Sequence, residues 1–226
     1  MTKIVIIPTI NELPHLKILV PKLLALGFDI LIIDDNSTDG TADFLLESKE
    51  KYRGKFDYQI RPKKLGLQSA YFFGFEKSMK KYDLILMMDG DGAHDPCVIP
   101  KMLGKISKGA DLVIGSRYAK GGKVENFPIS RRIISRVGNF LCRKIISKKI
   151  FDWTGGFYLW KSSLLEKIIN RKYINGFGFQ IQMKKYAIKS GAKISEVPIN
   201  FKNCQNEKSK FRFLMIFEAA KILFFE

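Results

Sequence analysis

A doubly wound, mostly parallel α/β sheet flanked by helices is the fold class this sequence predicts, on three observations. Short apolar runs without a polar break recur at residues 4–7, 30–33 and 84–88, as strands buried on both faces require. Stretches of helical length separate them, which is the signature of βα units and a parallel sheet. Each of the three runs is followed by acid: Glu12, then Asp34 and Asp35, then Asp89 and Asp91. In such sheets ligands sit beyond the carboxyl ends of the strands, and acids scattered over a surface would not keep that register.

Taken in order, the strand at 4–7 stops at Pro8-Thr9-Ile10-Asn11-Glu12, and a helix follows over 13–26 with Gly27 as its stop. After the strand at 30–33, Asp39-Gly40-Thr41 starts a helix through Lys49. The run at 56–60 is weak as a strand, and 66–80 reads as a helix. The strand at 84–88, a helix after Pro96 and a fifth strand at 111–115 continue the alternation.

The chain is organised around 83–96, DLILMMDGDGAHDP. A buried-type strand ends in two carboxylates, Asp89 and Asp91, separated by Gly90, which lets the backbone turn and a ligand come close. Two carboxylates at the mouth of a buried strand repel each other, and a cation between them relieves it. Oxygen-only ligands suit Mg²⁺ or Mn²⁺ better than zinc.

The length of 226 residues suits one compact domain with a small appendage, and 46% hydrophobic with 27% charged residues is a globular composition. The net charge of +17 is unevenly placed. Residues 1–113 hold 16 Lys/Arg against 15 Asp/Glu, whereas 114–226 hold 23 against 7. A neutral half with the metal candidates thus precedes a strongly basic half, which calls for a polyanion: nucleic acid, an anionic membrane surface or a phosphorylated substrate. No zinc-finger, RRM-type or similar nucleic-acid motif is present, so nucleic acid is not expected as a partner. Cys97, Cys142 and Cys204 form no CxxC pair and read as reduced thiols. With no signal-peptide pattern and no run of about 18 apolar residues, a cytoplasmic protein, peripheral at the membrane, is expected.

Nine motifs occur in sequence: PTINE (8–12), DDNSTDGT (34–41), KKLGLQSAY (63–71), MDGDGAHDP (88–96), IGSRYAKGG (114–122), DWTGGFYLW (152–160), GFGFQIQM (176–183), EVPINF (196–201) and SK (209–210). Together they resemble the dolichol-phosphate mannose synthase group of family 2 glycosyltransferases. The resemblance implies a GT-A fold over 1–210, with a nucleotide-sugar and metal half (1–115) and an acceptor half (116–210). It implies a nucleotide-sugar donor, with GDP-mannose first, and a polyprenyl or dolichyl phosphate acceptor. Carried over by position, Pro8, Ile10, Glu12, Ile33, Asp35, Lys64 and Gly90 line the nucleotide-sugar site. Asp89 and Asp91 hold the metal, and Arg117 and Lys210 meet phosphates. The departures lie around the acceptor half. Ala93 stands where a further metal contact is usual, so that ligand must be a backbone carbonyl or water. Tyr158 replaces an Arg, Gln182 a Glu, Cys204 an Arg and Glu207 a Gly.

The segment 130–149 carries seven Lys/Arg and no acid, with Ile133, Val137, Phe140, Leu141 and Ile145 at helical spacing. Such a helix suits an anionic membrane interface, although an apolar stripe also serves to pack a helix on its own core. Residues 211–226 read as an apolar helix lying in the interface, too short to span. A separate membrane-anchoring subunit is the other route to the membrane. His94 reads as a structural hydrogen-bonding residue, His15 carries no signal, and Trp153 and Trp160 read first as packing.

The expected reaction is an inverting transfer of a hexose to a lipid phosphate, whose ionised oxygen attacks the anomeric carbon without a strong general base. Competing readings are a UDP-sugar-dependent transferase in surface-polysaccharide or glycolipid synthesis, and a non-catalytic transferase scaffold.

Overall fold

The computed structural model describes residues 1–174, 176 and 178–202. Its order is β1 (Lys3–Thr9), α1 (Leu13–Ala25), β2 (Asp29–Asp34), α2 (Thr41–Lys51), β3 (Phe56–Ile60), α3 (Leu67–Ser78), β4 (Leu84–Met87), α4 (Ile99–Ser107), β5 (Leu112–Ser116), β6 (Lys123–Glu125), α5 (Ile129–Ile145), β7 (Tyr158–Lys161), α6 (Ser162–Ile168), α7 (Phe179–Lys189), β8 (Ile194–Pro198) and β9 (Asn200–Lys202). A seven-stranded sheet runs β3-β2-β1-β4-β7-β5-β8, and β6 pairs with β9 apart from it.

The unbroken apolar runs are explained by two cores, one on each face of the sheet. In β1, Ile4 and Ile6 pack with Tyr71, Phe75 and Trp160, while Val5 and Ile7 pack with Leu16, Leu86 and Val113. A strand between two cores has no polar face to show, which is why its sequence does not alternate. The weak run at 56–60 is the edge strand β3: Phe56 alone is buried, and Gln59 and Ile60 are exposed. Gly27 adopts φ +75° immediately after α1, as a helix stop requires.

The fifth expected strand forms as β5 but does not adjoin β4. Strand β7 lies between them, antiparallel to both. Its Tyr158, Leu159 and Trp160 are all buried, so four residues suffice to bridge the two parallel blocks. Trp153 and Trp160 are fully buried and serve packing, with Trp160 Nε1 donating to Met87 Sδ at 3.2 Å.

Helix α5 is shorter than the expected 130–149. The amides of Ile146 and Ser147 both donate to the Cys142 carbonyl and close it. Its orientation overturns the reading that the apolar stripe packs inward. Ser135, Asn139 and Cys142 face the body, while Ile133 and Phe140 are each 56% exposed and Val137 is 51% exposed. Polar contacts dictate this. Asn139 Nδ2 donates to the Ser135 carbonyl at 2.7 Å and to Thr154 Oγ1 at 2.9 Å, and Tyr118 Oη donates to Ser135 Oγ at 2.8 Å. The 211–226 segment lies outside the described residues.

Two variants test this orientation by chemical denaturation. The double change Val137→Gln with Phe140→Gln should alter stability by no more than about 0.5 kcal/mol per site, because both side chains leave solvent for solvent. Asn139→Leu should cost about 1–3 kcal/mol by stranding buried partners. A larger loss from the outward pair than from Asn139→Leu would contradict the orientation.

Candidate active site

Parallel pairing in register brings the acidic strand ends together. Thr9 lies opposite Asp34, and Ile6 opposite Met87, so the loops after β1, β2 and β4 leave the same edge of the sheet. The loop after β4 is tightly held. A Cβ on Gly90 would meet Ile7, Thr9 and the Pro8 carbonyl at 3.3–3.4 Å. Asp91 Oδ1 accepts from the Ala93 amide at 3.0 Å and closes the turn through Gly92, where φ is +74°. A side chain at Gly92 would stand 2.7 Å from His15 Nδ1, so His15, silent in the sequence, backs the loop. His94 fills the structural role expected of it. Its Nδ1 accepts from the Asp89 amide at 3.4 Å, and its ring stacks on Phe157 at 4.9 Å. Burial pushes its pKa down to about 4, which keeps it a neutral acceptor.

Asp89 accepts from Tyr71 Oη at 3.2 Å, and burial together with the Asp91 charge pushes its pKa up to about 7. Gly156 approaches from the other side: a Cβ there would stand 3.2 Å from Asp89 Oδ2. Among the described residues no group of three or more His, Cys, Asp or Glu converges to hold a metal unaided. Two crowded carboxylates fit an ion that takes its remaining ligands from water and a substrate's phosphates, which is how Mg²⁺ and Mn²⁺ bind nucleotides. Thr9 Oγ1, against Gly90, is buried with no partner among the described residues.

Arg117 follows β5 and is buried with Asp152. Its amide and Nε donate to Asp152 Oδ2 at 2.9 and 2.8 Å, and Nη2 donates to Oδ1 at 2.8 Å and to Thr154 Oγ1 at 2.9 Å. Burial opposes both charges, yet each holds the other ionised: Arg117 is shifted up and Asp152 down. Glu196 Oε1 and Oε2 accept from the Asp152 and Phe151 amides at 2.9 and 2.8 Å and fix the loop that carries Asp152. Arg131, on the first turn of α5, completes the group. Burial and Arg117 lower its pKa while Asp91 and Asp89 oppose the shift, so its guanidinium lies within electrostatic reach of both metal candidates.

The remaining expected site residues lie on or just after β1 and β2 and ahead of α3. Pro8 and Ile10 are half-buried, and Glu12 is buried, its carbonyl accepting from the His15 and Leu16 amides to start α1. Ile33 is in the core, and Lys64 is exposed on the loop before α3. Asp35 is ion-paired with Arg61 and accepts from the Gly66 amide at 3.1 Å. Asp34 is fully buried and accepts from the Ser37 amide at 2.9 Å, so it locks a turn and faces no ligand. Lys210 and Cys204 lie outside the described residues. The sequence reading missed Tyr71, Asp152, Thr154 and Arg131. Tyr71, Asp152 and Thr154 stood inside quoted motifs, and Arg131 inside the basic helix.

The fold is that of GT-A glycosyltransferases. A glucosyl-3-phosphoglycerate synthase of Mycobacterium tuberculosis, solved with Mn²⁺, UDP-glucose and phosphoglyceric acid, superposes with a TM-score of 0.70 over 98% of this chain and 77% of that one, at 16% identity. The model of glycosyl transferase family 2 matches residues 4–169, and this chain belongs to that family. It is 36% identical over 88% of its length, and 76% of the relative's, to a polyprenol monophosphomannose synthase of Mycolicibacterium smegmatis. It is 34% identical over 97% of its length to an undecaprenyl-phosphate mannosyltransferase of Micrococcus luteus, covering 91% of that protein. A dolichol-phosphate mannosyltransferase of Pyrococcus furiosus is 36% identical over 97% of this chain, which spans 62% of that longer protein.

Calorimetric titration of Mn²⁺ in the presence of a nucleoside diphosphate tests the acidic pair. Asp91→Asn should abolish metal-dependent binding with the fold retained, and Gly156→Ala, whose methyl crowds Asp89, should weaken it at least fivefold. The ion must displace the proton that Asp89 holds up to about pH 7. Apparent affinity should therefore fall by up to about tenfold per unit below pH 7 and level off above it. Unchanged binding in Asp91→Asn would remove these residues from the metal site.

Proposed function

We propose that this glycosyltransferase moves a mannosyl group from GDP-mannose to a polyprenyl phosphate at the cytoplasmic face of a membrane, with inversion. The observation that carries the reading is the crowded carboxylate pair Asp89 and Asp91, with Gly156, on the loop that also bears the Arg117-bound Asp152, packed against Asp89, so that the Arg117 and Arg131 charges favour ionised Asp89. The reaction needs that charge pattern: an oxygen-bound cation for the donor's diphosphate, and fixed cations for a second phosphate. The names of the three relatives supply the sugar and the acceptor class.

On this reading Asp89 and Asp91 would hold Mg²⁺ or Mn²⁺, which when bound would supply positive charge to the departing diphosphate. With Ala93 offering no side-chain oxygen, the remaining ligands of such an ion would come from water or a backbone carbonyl and from the donor's phosphates. Pro8, Ile10, Glu12, Asp35, Lys64 and Gly90 line the nucleotide side, with Ile33 in the core beneath them, so 1–115 is the donor half. Arg117, Arg131 and Lys210 draw the lipid phosphate in the acceptor half. An ionised phosphate oxygen forms its bond to the anomeric carbon as the bond from that carbon to the diphosphate breaks, and the nucleoside diphosphate leaves. Alignment and electrostatics supply the rate, and no side chain need remove a proton.

The outward stripe of α5 is the membrane-facing surface in this reading. Ile133, Val137, Phe140 and Ile145 are exposed on a helix that also carries Arg131, Arg132, Arg136, Arg143 and Lys144. An apolar strip edged by cations matches an anionic lipid surface. No helix among the described residues is long and apolar enough to cross a membrane, so attachment through α5 is at the interface, with or without an anchoring subunit.

Transfer of radiolabelled sugar from GDP-mannose, UDP-glucose and other nucleotide sugars to a short polyprenyl phosphate tests the reaction. Mannose transfer from GDP-mannose, lost on Arg117→Gln, is expected. Transfer from a UDP-sugar alone would replace the donor, and inactivity with every donor would leave the scaffold reading.

Vesicle sedimentation tests the surface separately. Cations near an anionic bilayer contribute about 1 kcal/mol each, and salt screens them. Making Arg132, Arg136 and Arg143 neutral should release the protein from anionic vesicles, and Phe140→Gln should weaken binding to the same vesicles at high salt. Equal binding to neutral and anionic vesicles at low salt would contradict the assignment.

A further inference from the structure

Behind the guanidinium side of the site lies a buried lysine that none of the expected roles uses. Lys184, on α7, has no exposed surface, and its Nζ donates to Tyr158 Oη at 2.6 Å and lies 4.5 Å from the Tyr158 ring centre. An unpaired ammonium at such depth is costly, so its charge needs partners. The groups that act on it are Asp152, Cys142 and Glu196, which favour its charge, and Arg117, which opposes it. Lys184 also helps lower the Asp152 carboxyl, after Arg117. Tyr158 stands where the resemblance expects an Arg. Gln182 stands where it expects a Glu, and its Oε1 is taken by the Ile174 amide at 2.7 Å. One cation and one anion are thus missing from this wall, and one cation is present two residues further on.

We propose that Lys184 is a positioning residue for the acceptor phosphate: seated on the Tyr158 hydroxyl, its ammonium balances Asp152 and Glu196 and so holds Arg117 in place. The inference rests on the reading that Arg117 meets that phosphate. The charges explain the route. Arg117 and Lys184 are two cations among two carboxylates. Removing the ammonium leaves Asp152 and Glu196 with one cation between them, and burial already raises the Glu196 pKa. A protonated Glu196 loses part of its hold on the Phe151 and Asp152 amides, and the loop that presents Asp152 to Arg117 loosens. Burial also brings the Lys184 pKa down to about 7, so the balance is sensitive to pH near neutrality.

The test measures transfer kinetics, and calorimetric binding of a short polyprenyl phosphate, for wild type, Lys184→Met and Lys184→Arg. Lys184→Met should raise KM and Kd for the acceptor at least tenfold while KM for the nucleotide sugar stays within twofold. In wild type the acceptor KM should rise above pH 7 as the ammonium loses its proton. In Lys184→Arg, whose charge does not titrate, that rise should be absent, and the acceptor's own ionisation is common to both proteins. If Lys184→Met does not fold, the double variant Tyr158→Arg, Lys184→Met moves the cation across the pair. Wild-type acceptor KM then supports the inference, and a KM still raised tenfold overturns it. Unchanged acceptor KM in Lys184→Met, or an equal rise in both KM values, also overturns it, as does the same pH profile in Lys184→Arg. A wild type that binds the acceptor but transfers no sugar would defeat the transferase reading alone, with the Kd comparison still deciding the role of Lys184. A wild type that does not bind the acceptor would defeat both.

Discussion

The buried pair of Arg117 and Asp152 is the constraint on which the basic half depends. Two charges removed from water are stable together only when their hydrogen bonds are nearly complete. Here three donors of Arg117 and the Thr154 amide converge on one carboxylate. Holding that carboxylate in place requires the loop that bears it to be fixed as well. Glu196 does so from β8, and Asn139 and Ser135 do so from α5 through Thr154. Helix α5 therefore has to turn its polar face inward. Its apolar face is left outside, and the outward stripe is a consequence of the same pair that orders the site.

Asp89 shows the opposite arrangement. Asp152 has several donors and a guanidinium beside it and is driven low, whereas Asp89 accepts from the Tyr71 hydroxyl, has a like charge beside it, and is driven high. Carboxylates whose environments separate their pKa values this far have different work. The saturated one is structural, and the underpaired one has the chemistry suited to a cation. Asp34 follows the first pattern, locked on Ser37. Acid at a strand end is thus a place to look for a ligand, and the hydrogen bonds say which acid is free for it.

Much of this was legible in the sequence because two-faced burial and strand-end acids leave periodic marks. The strands at 4–7, 30–33 and 84–88 were found by unbroken apolar runs, and β3 was weak on paper because it is an edge. Strand β7 escaped because four residues after a loop make no periodic signal, and its antiparallel place depends on both neighbours. The spacing in α5 revealed a stripe and could not give its direction, because direction was set by Ser135 and Asn139, ordinary polar residues on the far face. Asp152 escaped for a similar reason. Its importance lies in a partner 35 residues away in sequence.

The departures from the family pattern bear on whether the site is a working one. A scaffold freed from catalysis has no reason to keep an expensive buried charge. Yet here a fully buried ammonium persists at hydrogen-bonding distance from the residue that replaced the Arg. Its desolvation cost is offset in part by Asp152 and Glu196, the two carboxylates that order Arg117. With Tyr158 at the position where the resemblance expects an Arg, the cation on this wall comes from α7 and not from β7. Selection for fold alone would be met as well by an apolar pair of similar volume, since replacing buried charges with packed hydrophobic residues is often neutral or stabilising. The retained charge therefore argues that the electrostatics around Arg117 are still in use.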